Sequence, residues 1–112
     1  MDYIVNKIVG LGIPGLMLLV AMSMTGLSGA AAITAGLALL GPGGMIGGIM
    51  MLVLASAISS ALAEYGFDAI FKAVVLNLYK KGESKETIAK KIKKAPFSSK
   101  LKKKALYDLE RL

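Results

Sequence analysis

The chain has 112 residues, 55% of them hydrophobic, with mean hydropathy +0.65 and formal net charge +7, a length of about one domain. It contains neither Cys nor His, which excludes a disulfide framework, the usual zinc sites, c-type haem attachment and the Ser-His and Cys-His nucleophile systems. Nothing in it marks an enzyme, a cofactor or a metal site, and the informative quantity is where the charges fall.

No charged side chain occurs between Lys7 and Glu64. That run, Ile8 to Ala63, is long enough for two membrane crossings, each of which needs about 20 uncharged, mainly apolar residues. From Lys72 to Leu112 there are 13 basic residues against Glu83, Glu86, Asp108 and Glu110, a local balance of +9. A helical membrane region over residues 1–80 followed by a basic helical hairpin over 81–112 is the expected organisation. A second reading is a bundle whose uncharged helices are buried by oligomerisation, and a third is a cleaved secretory leader ending near Ser28-Gly29-Ala30.

In chain order, Asp2 to Val9 reads as a short amphipathic lead, with Ile4, Val5, Ile8 and Val9 on one stripe, placed at the membrane interface. Gly10, Gly12 and Gly15 interrupt, and Pro14 suits the first turn of a helix over residues 14–25. Gly26-Leu27-Ser28-Gly29 offers a stop and a restart, with Ser28 as N-cap for residues 29–40. An unbroken helix over 14–40 is the other option. Gly41-Pro42-Gly43-Gly44 predicts a turn. Residues 43–63 then form the best single candidate for a full span. Gly43 with Gly47, Gly44 with Gly48, and Ser56 with Ser60 repeat a small-xxx-small spacing that lets helices approach closely in lipid, so a homo-oligomer is expected. Ala57 with Ala61 repeats it again.

Residues 66–80 predict an amphipathic helix with Phe67, Ile70, Phe71, Val74, Val75 and Leu78 on one stripe and an Asp68–Lys72 pair at i, i+4. Glu64, Asp68 and Lys72 are candidate lumen or interface residues, where the two acids would favour cations. Gly82 closes this helix, Ser84 caps the next over 85–95, and Ser98 or Ser99 starts a last helix toward Leu112. The apolar faces of these two helices, Ile88, Ala89 and Ile92 against Leu101, Ala105, Leu109 and Leu112, are too small to stand alone. The hairpin should therefore dock on residues 66–80 or on a neighbouring subunit. Its lysines, Lys90, Lys91, Lys93, Lys94, Lys100, Lys102, Lys103 and Lys104, are candidate phosphate-binding residues for lipid headgroups, a nucleotide or a single-stranded oligonucleotide. Sequence-specific reading of duplex DNA is a poor match, because bidentate base contacts need Arg, Asn or Gln.

The segment TGLSGAAAITAGLALLGPGGMIGGI, residues 25–49, resembles the glycine- and alanine-rich membrane modules of interferon-inducible small hydrophobic proteins. With its basic tail, the chain also resembles small membrane effectors of bacterial antiphage defence of the Hailong type, which are paired with a nucleotidyltransferase. The resemblance implies an oligomeric channel or pore in the bacterial inner membrane that kills or stalls the cell when released from inhibition by an anionic nucleotide. The alternatives are a holin-like or peptide toxin acting without ligand, and a membrane-anchoring scaffold subunit. The excess of Lys after the last apolar segment places the C-terminal part in the cytoplasm.

Overall fold

Six helices build the part of the chain that this computed structural model describes, residues 1–23, 48–95 and 97–112. They are α1 (Asp2–Gly10), α2 (Ile13–Met22), α3 (Gly48–Tyr65), α4 (Phe67–Lys80), α5 (Lys85–Lys94) and α6 (Ser99–Glu110), with no strand among the described residues. The all-α expectation therefore holds. The Cα radius of gyration, 12.6 Å, matches the value of about 13 Å for a folded domain of this length.

α1 is amphipathic as its spacing requires, but its stripe of Ile4, Val5, Ile8 and Val9 is buried in the core and packs toward α2 and α4. That stripe is therefore not the outward apolar face expected of an interfacial helix. The chain reverses at Gly12, whose φ of +72° is a left-handed conformation that a Cβ disfavours. Pro14 then sits in the first turn of α2, where its missing N–H costs nothing. α1 and α2 meet at Gly15, where a Cβ would run into the Ile8 carbonyl oxygen and lie 3.0 Å from Leu11 Cβ.

α2 is apolar on every side, and Leu16 through Ala21 are all buried. A helix of this kind has two possible homes, a membrane or the middle of a protein. Its ten residues rise only about 15 Å, half of a bilayer core, and α1, α3, α4 and α5 surround it. α4 is the second central element. Ile70, Phe71, Val74, Val75 and Leu78 are buried, and the helix packs on α1, α2, α3 and α6.

The membrane placement expected from the uncharged run is corrected by these elements. No helix among the described residues is long and apolar enough to cross a membrane. Where the run is described, it does without charges for two other reasons: α2 is enclosed by protein, and α3 meets solvent through Ser56, Ser59, Ser60 and Ala63. The inner-membrane assignment with a cytoplasmic C-terminal part is withdrawn with it. The expected break at Gly26 and Gly29, the helix over 29–40, the turn at 41–44 and the residues Gly43, Gly44 and Gly47 lie outside the described residues.

α5 and α6 form the expected hairpin. Gly82 has φ +100°. The Ser84 hydroxyl accepts the Thr87 N–H at 3.1 Å, and the Ser98 hydroxyl accepts the Leu101 N–H at 3.2 Å, each satisfying a donor that a helix start leaves open. Ile88 and Ile92 face Leu101, Ala105 and Leu109 inside one continuous core that takes in residues of all six helices. α6 docks on α4 and α5 touches α2, so the hairpin shares that core.

Candidate functional site

The buried residues of the hairpin determine where its lysines point. Burying Ile88 and Ile92 turns Lys90 and Lys94, one helical turn apart, to the far side of α5, with Lys91 and Lys93 on its flanks; all four are exposed. Burying Leu101, Ala105 and Leu109 likewise sends Lys100, Lys103, Tyr107 and Arg111 outward along α6. Seven of the eight lysines singled out from the sequence are exposed, and six of those, all but Lys104, make no ion pair among the described residues.

The remaining two have structural duties. Lys102 is half-buried, and its Nζ donates to the Lys93 carbonyl oxygen at 2.8 Å, occupying an acceptor that the end of α5 leaves open. Lys104 Nζ lies 3.4 Å from Asp68 Oδ1 and 3.3 Å from Asp108 Oδ2. It also stands 5.6 Å from the centre of the Phe67 ring, which stacks on Phe71 at 5.2 Å. Burial by itself would lower the Lys104 pKa, but the hydrogen bond to Asp108 and the charges of Asp108 and Asp68 outweigh it and raise the value above 10.5. The run Lys102-Lys103-Lys104 therefore contributes one lysine that is both exposed and without an ion pair among the described residues, Lys103.

Glu64, Asp68 and Lys72 are all exposed. Asp68 pairs with Lys104 on α6 and not with Lys72 at i+4. Asp68 and Lys72 instead line an open cleft of about 260 Å³ with Phe71, Asp108, Arg111 and Leu112. Glu64 stands apart from that cleft beside Tyr65, and its negative charge is the largest cause raising the pKa of the Tyr65 hydroxyl. Gly48 opens α3. Ser56 and Ser60 lie exposed one turn apart, whereas Ala57 is half-buried and Ala61 buried, so one of the two small-residue faces is used inside the chain.

A second open cleft, about 340 Å³, lies along the hairpin and is lined by Lys85, Glu86, Ala89, Lys90, Lys93 and Glu110. Nearby, the Tyr79 hydroxyl is buried without a hydrogen-bond partner among the described residues. Its burial, and after that the charges of Glu86 and Glu110, push its pKa upward. Among the described residues no group of three or more acidic, His or Cys side chains is placed to hold a metal ion.

One surface feature was missed in reading the sequence. Tyr107 is 61% exposed, with the Arg111 guanidinium 5.4 Å from its ring centre. The signal was present in the spacing of residues 100, 103, 107 and 111, which repeats at the helical period and places an aromatic ring amid three cations. No protein family, curated protein or solved structure matches the chain.

Proposed function

We propose that the chain is a helical binding module that holds a phosphate-bearing polyanion on the outer face of the α5–α6 hairpin. The observation that carries this reading is the outward set Lys90, Lys91, Lys93, Lys94, Lys100 and Lys103, all exposed, in a region where acids are few. Such a surface neutralises phosphates, releases their condensed counterions and draws its affinity from that release. Arg111 extends the cationic surface past the end of α6. Glu86 and Glu110 line the hairpin cleft with Lys85, Lys90 and Lys93, which leaves that cleft with one net positive charge and directs the polyanion to the lysine-dense remainder of the face. The pore-forming function implied by the resemblance requires helices that cross a membrane, and no helix among the described residues is long and apolar enough to do so.

The test is titration of a fluorescent single-stranded oligonucleotide, and separately of inorganic polyphosphate, at low ionic strength. The quadruple substitution Lys90→Ala, Lys94→Ala, Lys100→Ala, Lys103→Ala removes charge without touching the core. It should abolish measurable binding of both polymers, whereas Lys7→Ala on α1 should leave binding nearly intact. Equal loss from the single Lys7→Ala change would mean that net charge alone is responsible and that the hairpin face is not a site.

A further inference from the structure

We infer that the polyanion is single-stranded nucleic acid and that Tyr107 is the residue on which one of its bases stacks. The inference rests on the phosphate-binding reading of the hairpin and goes beyond it by naming the class of polymer. A purely electrostatic surface needs no aromatic ring in its middle. Tyr107 nevertheless stands 61% exposed at the centre of the outer face of α6. Lys103 lies one turn before it, Lys100 nearly two turns before it, and Arg111 one turn after it.

Bases stack on aromatic side chains without regard to sequence, and single-strand binders combine such rings with a cationic track for the backbone. Both components are present on α6. From Lys100 to Arg111 the helix advances about 16 Å at 1.5 Å per residue, the length of about five nucleotides at a stacked rise of 3.4 Å. The Arg111 guanidinium, 5.4 Å from the ring centre, holds the phenol in place and adds a cation beside the stacked base. The residue stays 61% exposed beside that cation. A duplex keeps its bases inside and offers this ring nothing to stack on, and inorganic polyphosphate has no bases at all.

The chain contains no Trp, so Tyr107→Trp introduces a single indole, which can be excited apart from the remaining tyrosines. Its emission should be quenched by a short oligothymidylate and unchanged by polyphosphate at matched phosphate concentration. Tyr107→Ala should weaken oligothymidylate binding about tenfold with no change toward polyphosphate, and Tyr107→Phe should restore wild-type affinity. If Tyr107→Ala leaves both affinities unaltered, or lowers both equally, or if the indole emission of the Tyr107→Trp variant ignores the oligonucleotide, stacking is overturned while the phosphate-binding reading stands. If the wild-type chain binds neither polymer, that reading fails and takes this inference with it.

Discussion

Lys104 on α6 reaches Asp68 on α4 across 36 residues of sequence, with Nζ 3.4 Å from Oδ1, and the same ammonium group is 3.3 Å from Asp108 one turn along its own helix. One lysine in the middle of a basic surface is thereby withdrawn from it and used to fasten the hairpin to the central helix. The side chains of Lys104 and Asp68 are 54% and 79% exposed, so solvent screening limits what each contact is worth.

Lys104→Ala should destabilise the fold by about 1 kcal/mol, the scale of two exposed ion pairs and one cation–π contact. Lys103→Ala should change stability by less than about 0.5 kcal/mol. For polyanion affinity the order should invert, with Lys103→Ala the more costly, because the Lys104 charge is already balanced by two carboxylates. Urea denaturation and oligonucleotide titration on the two variants check both halves. Identical effects in either assay would show that the two lysines do not divide their duties.

Gly15→Ala should cost about 1–3 kcal/mol, the usual penalty for overfilling a packed contact. The new methyl would meet the Ile8 carbonyl oxygen, which belongs to the backbone and cannot rotate away as a side chain would. Gly10→Ala is the control, since nothing lies within 4 Å of its Cβ position, and better helix propensity makes it neutral or stabilising by up to about 1 kcal/mol. Denaturant midpoints for the pair would expose the error if Gly15→Ala proved as mild as Gly10→Ala.

Stability should fall at alkaline pH. The pKa of Lys104 is raised in the fold above its ordinary 10.5, so its contribution is complete below that value and is lost as pH rises through the higher folded value. Tyr79 is raised above 10.0, by burial first and then by Glu86 and Glu110. The fold keeps its proton while the unfolded chain releases it, which acts in the same direction. Tyr79→Phe removes the buried hydroxyl that has no partner among the described residues. It should be neutral or stabilising by about 1 kcal/mol at neutral pH, with a shallower loss above pH about 10 than wild type. Urea midpoints from pH 7 to 11 test this, and a steeper loss in Tyr79→Phe would contradict it.

How far the sequence could be read depended on how local each feature was. The stripe from Ile70 to Leu78, the cap at Ser84 and the choice of Ser98 or Ser99 for the next follow from spacing within a few residues, and the stripe and caps at Ser84 and Ser98 are found. The uncharged run was misread because an enclosed core helix and a membrane helix share the same composition. Only the ten-residue length of α2 and the helices around it separate them. Ser56, Ser59 and Ser60 misled in a second way, since a solvent-facing surface made of serine carries no charge to announce it. The role of Lys104 was hidden because its partner Asp68 is remote in sequence, and the Asp68–Lys72 pair that local spacing offered is displaced by it.

The central claim, a phosphate-binding face on the α5–α6 hairpin, is tested most directly by the salt dependence of single-stranded oligonucleotide binding. Single strands lose about 0.7 powers of salt concentration per phosphate neutralised. Engagement of four to six of the outward lysines gives a slope of log K against log salt of about −3 to −4. Lys103→Ala should reduce that slope by about 0.7, and Lys104→Ala should leave it nearly unchanged. Binding that is absent at low ionic strength, or that persists with a flat slope between about 50 and 200 mM salt, would contradict the account.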